Sequence, residues 1–278
     1  MISKPFSCGR RYHVLGYLAV VLLFVGAAAS SVEAGNVIEL KTVYFDGSKP
    51  DEKTTIYVDE GRLRFDAMEN GKQMILIITL DEAGDPICRV IDPNEKSYTE
   101  ITRESSDKVK AQIKEGKKQM EEQLKQLPAE QQQHMRQMME KQLGQFEKVV
   151  NIEFKQIATG VDIKKWSCVQ YESLLDGDKH EDIWTADWKQ IGLKKSDAAI
   201  FKQFGSLFVG ISPETNAFFH TGGSASDGGF DGFPVMVVEY KDGVKYEKSE
   251  VTAISEKKLE DELFALPKGL TKVSLFER

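Results

Sequence analysis

Histidine and cysteine are scarce in this chain, with four and three among 278 residues. No histidines form an H-x-x-x-H pair, and zinc needs convergent His and Cys ligands. Neither a metal nor a cofactor is expected. Basic excess is also lacking: 37 Lys and Arg stand against 44 Asp and Glu, a net charge of −7. Phosphate binding needs concentrated cations, so nucleic acid is not an expected partner. Beyond the first thirty or so residues no second long apolar run occurs, which leaves no transmembrane helix to expect in the remainder. No internal repeat is visible.

Catalytic signatures are missing too. Gly222-Gly223-Ser224-Ala225-Ser226 fails the G-x-S-x-G pattern at its fifth position, and no strand–elbow–helix pattern surrounds it. The same glycines lack the Lys-Ser/Thr of a phosphate loop. Asp227 and Asp231 fit no ordered calcium loop, so the segment reads as a flexible connection. "HMRQMM" around His134 offers soft thioethers suited to copper(I). The simpler reading is that methionine fills irregular apolar grooves there. No residue set emerges as an active site, and the chain is not expected to be an enzyme.

The N-terminus is the most explicit stretch. Lys4, Arg10 and Arg11 precede "VLGYLAVVLLFVGAAA", and "SVEA" follows with Val32 and Ala34 spaced as a signal peptidase requires. Residues 1–34 therefore read as a secretory signal peptide cleaved after Ala34. An uncleaved N-terminal anchor is the alternative. Cys8 precedes the apolar core and so is no lipobox cysteine. Residues 35–278 suit a single domain. In an oxidising compartment Cys88 and Cys168 are the expected disulfide. Closing a loop of about 80 residues would contribute roughly 4 kcal/mol. Two separately buried thiols are the alternative.

From residue 35 the period is that of strands. "NVIELKTVYF", "KTTIYV", "RLRFDAM", "QMILIITL", "ICRVID" and "KSYTEI" are punctuated by Asp-Gly, Glu-Gly and Asp-Pro turns. They predict an antiparallel meander with one buried face. From 104 to 147 the period becomes helical. Val109, Ile113, Met120, Leu124 and Leu127 form one stripe, and after Pro128 a second runs through Met135, Met138, Met139, Leu143 and Phe146. The two predict a long helical hairpin. Strands resume at "VVNIEFKQIATG", "KKWSCVQYESLL" and "HEDIWTADW"; a helix is expected from Ser196, then a hairpin through Asp242-Gly243. The tail predicts one helical turn and an extended end.

The succession of "GRLRFD", "KSYTEI", "LPAEQ…MRQMM", "W-S-C-x-x-Y", "WTADW", "GFPVMVVEY" and "LFALPKGLTKV" resembles an uncharacterised family of bacterial secreted proteins, a domain of unknown function. That family looks related to the LolA/LolB lipoprotein-carrier superfamily and its LppX-like relatives. The resemblance covers most of residues 37 to 273. It implies an α+β fold: a curved antiparallel β-sheet, an unclosed half-barrel, covered by a helical lid that includes the hairpin at 104–147. It implies location in the periplasm and a cavity that accepts acyl chains.

The function expected is that of a periplasmic binding or carrier protein for a lipid, acyl chain or other hydrophobic ligand. Its lining would come from Leu63, Phe65, Ile75 and Ile77 of the sheet, with Met135, Met138, Leu143 and Phe204 of the lid. A real cavity of several hundred cubic ångströms distinguishes this reading. The alternative is a non-enzymatic envelope protein with a filled core, recruiting a protein partner through the hairpin.

Overall fold

The computed structural model describes residues 34–69, 71–125, 152–194, 197–207, 220–221 and 229–274. Residues 1–33, on which the expected signal peptide falls, lie outside the described residues. So does the second arm of the expected hairpin, with Met135, Met138 and Leu143.

One meander comprises β1 (Gly35–Tyr44), β2 (Glu52–Asp59), β3 (Arg62–Glu69), β4 (Lys72–Leu80), β5 (Pro86–Asp92) and β6 (Ser97–Ile101). A second comprises β7 (Ile152–Ile163), β8 (Trp166–Leu175), β9 (Asp178–Ala186), β10 (Phe233–Lys241) and β11 (Val244–Lys257). Pairing of β1 with β11 joins them into one twelve-stranded sheet of order β12-β6-β5-β4-β3-β2-β1-β11-β10-β9-β8-β7. The last strand, β12 (Thr271–Lys272), lies parallel to β6, whereas the other pairings are antiparallel.

The turns explain why the meanders fold back so tightly. Glu60-Gly61, Asp176-Gly177 and Asp242-Gly243 each supply two consecutive positive φ angles between paired strands. A two-residue hairpin of that kind matches the strands' right-handed twist, and glycine takes its second position without steric cost.

Two α-helices are described: α1 (Arg103–Lys125) and α2 (Asp197–Ser206). At the start of α1, the Thr102 amide donates to Ser105 Oγ at 2.8 Å and the Ser105 amide donates to Thr102 Oγ1 at 3.2 Å. This reciprocal cap satisfies donors that the first helical turn leaves open. Most described side chains of α1 are exposed; Ser106 and Leu124 are buried.

The short α2 sits on one face of the sheet. Its Phe201 ring lies 6.4 Å from Phe65 of β3 and 6.0 Å from Phe233 of β10. Four strand spacings separate β3 from β10, about 19 Å in a flat sheet. One ring meets both, so the sheet bends across α2. The core cluster on this face runs through Ile38, Ile56, Leu63, Ile78 and Cys88 to Cys168, Phe233 and Val251. On the opposite face of β4 and β5, Ile75, Ile77 and Ile91 pack with Phe264 of the 3-10 turn Asp261–Phe264. Leu259, Leu263, Leu266 and Leu270 join that second cluster.

Two expectations are corrected. The fold is a twelve-stranded open sheet, dominated by strand, rather than an α+β half-barrel under a helical lid. No helical hairpin over 104–147 and no helical lid exist among the described residues. The hairpin expectation followed periodicity; of its first stripe, Val109 is half-buried and Leu124 buried. The expected disulfide is absent as well: Cys88 and Cys168 are free buried thiols. They stand on β5 and β8, eight positions apart in the order of strands. Burial pushes the Cys88 thiol up to about 12 and the Cys168 thiol upward, away from the reactive thiolate.

Candidate functional site

The strand alternation that buries Ile38, Ile56 and Leu63 continues along the same face towards the ends of β1 and β2, but the residue types change. Thr54 stands opposite Leu40 and Ala67, and Ala67 opposite Met74. One step further out, Thr42 stands opposite Glu52 on one side and Ser249 on the other. Beyond them Tyr44 faces Glu247. Small and polar side chains replace the large apolar ones needed to fill the space under Phe204.

The result is a pocket of about 270 Å³. Its apolar wall is Leu40, Ile56, Phe65, Met74 and Leu76, with Phe204 reaching over from α2. Phe65 and Phe204 hold each other at 6.3 Å between ring centres. At the other end stand Thr42, Tyr44, Glu52, Thr54, Glu247 and Ser249, with Ala67 between the two regions.

The polar end is nearly self-contained. The Tyr44 hydroxyl donates to Glu52 Oε2 at 3.0 Å, and the Thr42 and Ser249 hydroxyls bond each other at 2.8 Å. The Lys49 ammonium lies 4.8 Å from the centre of the Tyr44 ring. Burial raises the Tyr44 phenol, reinforced by its bond to Glu52. Burial also raises the Glu247 carboxyl, with Lys49 pulling it down and Glu52 pushing it up. Glu52 Oε1 is withdrawn from solvent and has no hydrogen-bond partner among the described residues.

The expected lining divides across the sheet. Phe65 and Phe204 line the pocket, while Leu63 is fully buried in the neighbouring core. Ile75 and Ile77 stand opposite Asp66 and Arg64 on the other face, packed under the C-terminal segment. The intervening Leu76 and Met74 line the pocket instead. Leu76, Met74, Ala67, Glu52, Tyr44 and Glu247 were not among the expected residues. The parity of β3, with Leu63 and Phe65 on one face, points to Leu76 once the β3–β4 register is known.

Two other polar groupings are satisfied structural features. Tyr240 donates to Asp182 at 2.7 Å, and Lys179 bridges Asp182 and Glu172 at 2.9 and 3.2 Å. The buried Ser173 hydroxyl donates to Glu181 at 3.2 Å. Among the described residues no His, Cys, Asp and Glu cluster could hold a metal ion. None of the described helices is long and apolar enough to cross a membrane.

No curated protein matches this chain. A solved structure described as "Structure of PNGF-II in P21 space group" aligns over 87% of it at 9% identity and a TM-score of 0.39. The chain spans 32% of that protein's length. Residues 117–270 match the family described as Domain of unknown function (DUF4412), which is more than half of the chain, and the protein belongs to that uncharacterised family.

Proposed function

We propose that this protein is a periplasmic binding or carrier protein for a lipid, an acyl chain or another small hydrophobic molecule, without catalytic activity of its own. The observation that supports the reading is the pocket of about 270 Å³ with its wall of Leu40, Ile56, Phe65, Leu76 and Phe204. Ligand sites start at about 300 Å³. A volume just under that limit suits a small ligand, or one segment of a long one, better than a whole two-chain lipid. The pattern of the leader supports export. Kinship with the LolA/LolB and LppX-like carriers belongs to the same proposal and rests on the short motifs, without the helical cover that those motifs implied.

Native mass spectrometry of protein purified from the periplasm without detergent, followed by organic extraction, tests this. A stoichiometric mass excess that extracts as a hydrophobic compound is expected. A bare mass that stays bare after incubation with alkanols or single-chain lipids would overturn the reading. It would turn attention to an envelope protein that works through a partner.

A further inference from the structure

The chemistry of the pocket's polar end restricts the ligand further. Its charged groups are the carboxyls of Glu52 and Glu247, with Lys49 beside them over the Tyr44 ring. One Lys49 charge stands against two carboxyls and pulls the Glu247 carboxyl down, so it offsets theirs only in part. The hydrogen-bond inventory leans the same way. Carboxylates accept only, and the Tyr44 proton is already committed to Glu52 Oε2. Thr42 and Ser249 share one hydrogen bond, which leaves one proton of that pair, the Thr54 hydroxyl and the Lys49 ammonium as the donors at this end. Glu52 Oε1 is a buried acceptor that nothing in the described chain satisfies. Buried acceptors are normally paired with protein, water or ligand.

We infer that the pocket binds a small amphipathic amine, its ammonium held between Glu52 and Glu247 and its single apolar tail lying along Phe65, Leu76 and Phe204. An ammonium brings three donors and a positive charge to an end that offers acceptors and negative charge. A carboxylate or phosphate head could take a hydroxyl proton or the Lys49 ammonium as donor, but it would stand against two carboxyls and leave Glu52 Oε1 unsatisfied. The inference rests on the binding reading above and specifies the head group. The apolar end would hold a tail whatever its head.

Calorimetric titration of the full chain with decylamine, decanol and decanoate at neutral pH separates the two statements. Decylamine is expected to bind at least tenfold more tightly than decanol, with decanoate weakest. Glu52→Gln and Glu247→Gln should each cut the ratio of amine to alcohol affinity several-fold. That ratio remains meaningful even where a variant loses some folded fraction. Decanoate binding as tightly as decylamine, or a ratio unmoved in both variants, would overturn the amine inference and leave the hydrophobic pocket standing. Failure of all three ligands to bind would overturn both. Lysophosphatidylethanolamine distinguishes the source of the amine: its phosphate should make it weaker than decylamine. Tighter binding would assign the site to a membrane headgroup and overturn the free amine.

Discussion

The two faces of β3 and β4 both carry apolar side chains and end in opposite conditions. On one face Ile75 and Ile77 are sealed by the chain itself, which brings Phe264 and four leucines against them. Arg62 completes that seal, its guanidinium 4.6 Å from the centre of the Phe264 ring. On the other face Leu63 and Ile78 are sealed by core, but the residues one and two steps outward, Phe65, Leu76, Ala67 and Met74, open on a pocket. The difference lies in what arrives from elsewhere in the sequence. The sealed face receives an apolar segment whose leucines match its grooves. At the pocket the open face meets Phe204 of α2, while β1, β2 and β11 supply threonine, serine and glutamate where a core would need larger apolar groups. Burial is thus a property of the pairing of segments, and a strand rich in isoleucine does not by itself reveal which face is free.

The largest way to break this contrast is on the sealed side. Phe264→Ala removes the central ring and is expected to cost about 3–5 kcal/mol, roughly 10 °C in Tm for a domain of this size. Thermal and denaturant melts read it. Phe65→Ala, on the half-buried pocket wall, should cost less, about 1–3 kcal/mol, and widen the pocket. Calorimetry should then show bulkier branched alkanols gaining affinity over straight ones.

Ala67→Phe sharpens the contrast from the other direction. A ring grown from a half-buried position fills empty space and is expected to change stability by no more than about 1 kcal/mol. Decanol affinity should fall at least tenfold. A loss of stability comparable with that of Phe264→Ala would mean that the space was already occupied.

A smaller effect concerns pH. Glu247 has its carboxyl raised in the fold, chiefly by burial and further by Glu52, against the opposing pull of Lys49. As pH rises above the ordinary carboxylate range, the unfolded chain releases this proton first while the native state still holds it. By linkage, stability falls with rising pH across that window and levels off once the native group has ionised. Glu247→Gln should flatten this segment of the stability profile, measured by urea melts at stepped pH; an unchanged slope would assign it to other groups. The smallest effect is expected from a reductant. Cys88 and Cys168 are free, so dithiothreitol should leave Tm unchanged, and thiol reagents should modify them only on unfolding.

Much of the strand architecture was legible because its signals are local. The Glu-Gly and Asp-Gly turns specify tight hairpins, and the strand runs between them correspond to β1 through β11. The pairing of β1 with β11 was not legible, since it joins residues about 200 positions apart with no local cue. The pocket was half legible. Alternation in "RLRFDAM" identifies Leu63 and Phe65 as sharing a face, but "MILII" is apolar at every position, so its parity is undetermined until β3 fixes the register. Ile75 and Ile77 were therefore assigned to the wrong face. Glu52 and Glu247 went unnoticed because a charged residue in an alternating strand reads as solvent-facing, and their positions beside Tyr44 depend on two distant strands. The helical stripe from Val109 to Leu127 was real as periodicity, but a period shows only that a face exists and says nothing of what covers it.

The central claim is that one face of this sheet is open to a small apolar ligand while the other is closed. Methyl NMR of protein labelled at isoleucine δ1 and methionine ε, titrated with decanol, tests it most directly. Ile56 and Met74 line the pocket, whereas Ile75 and Ile77 lie across the sheet beneath Phe264. Saturable shifts at Ile56 and Met74, with Ile75 and Ile77 nearly still, are predicted. Shifts at Ile75 and Ile77 with Ile56 and Met74 unmoved would contradict the account.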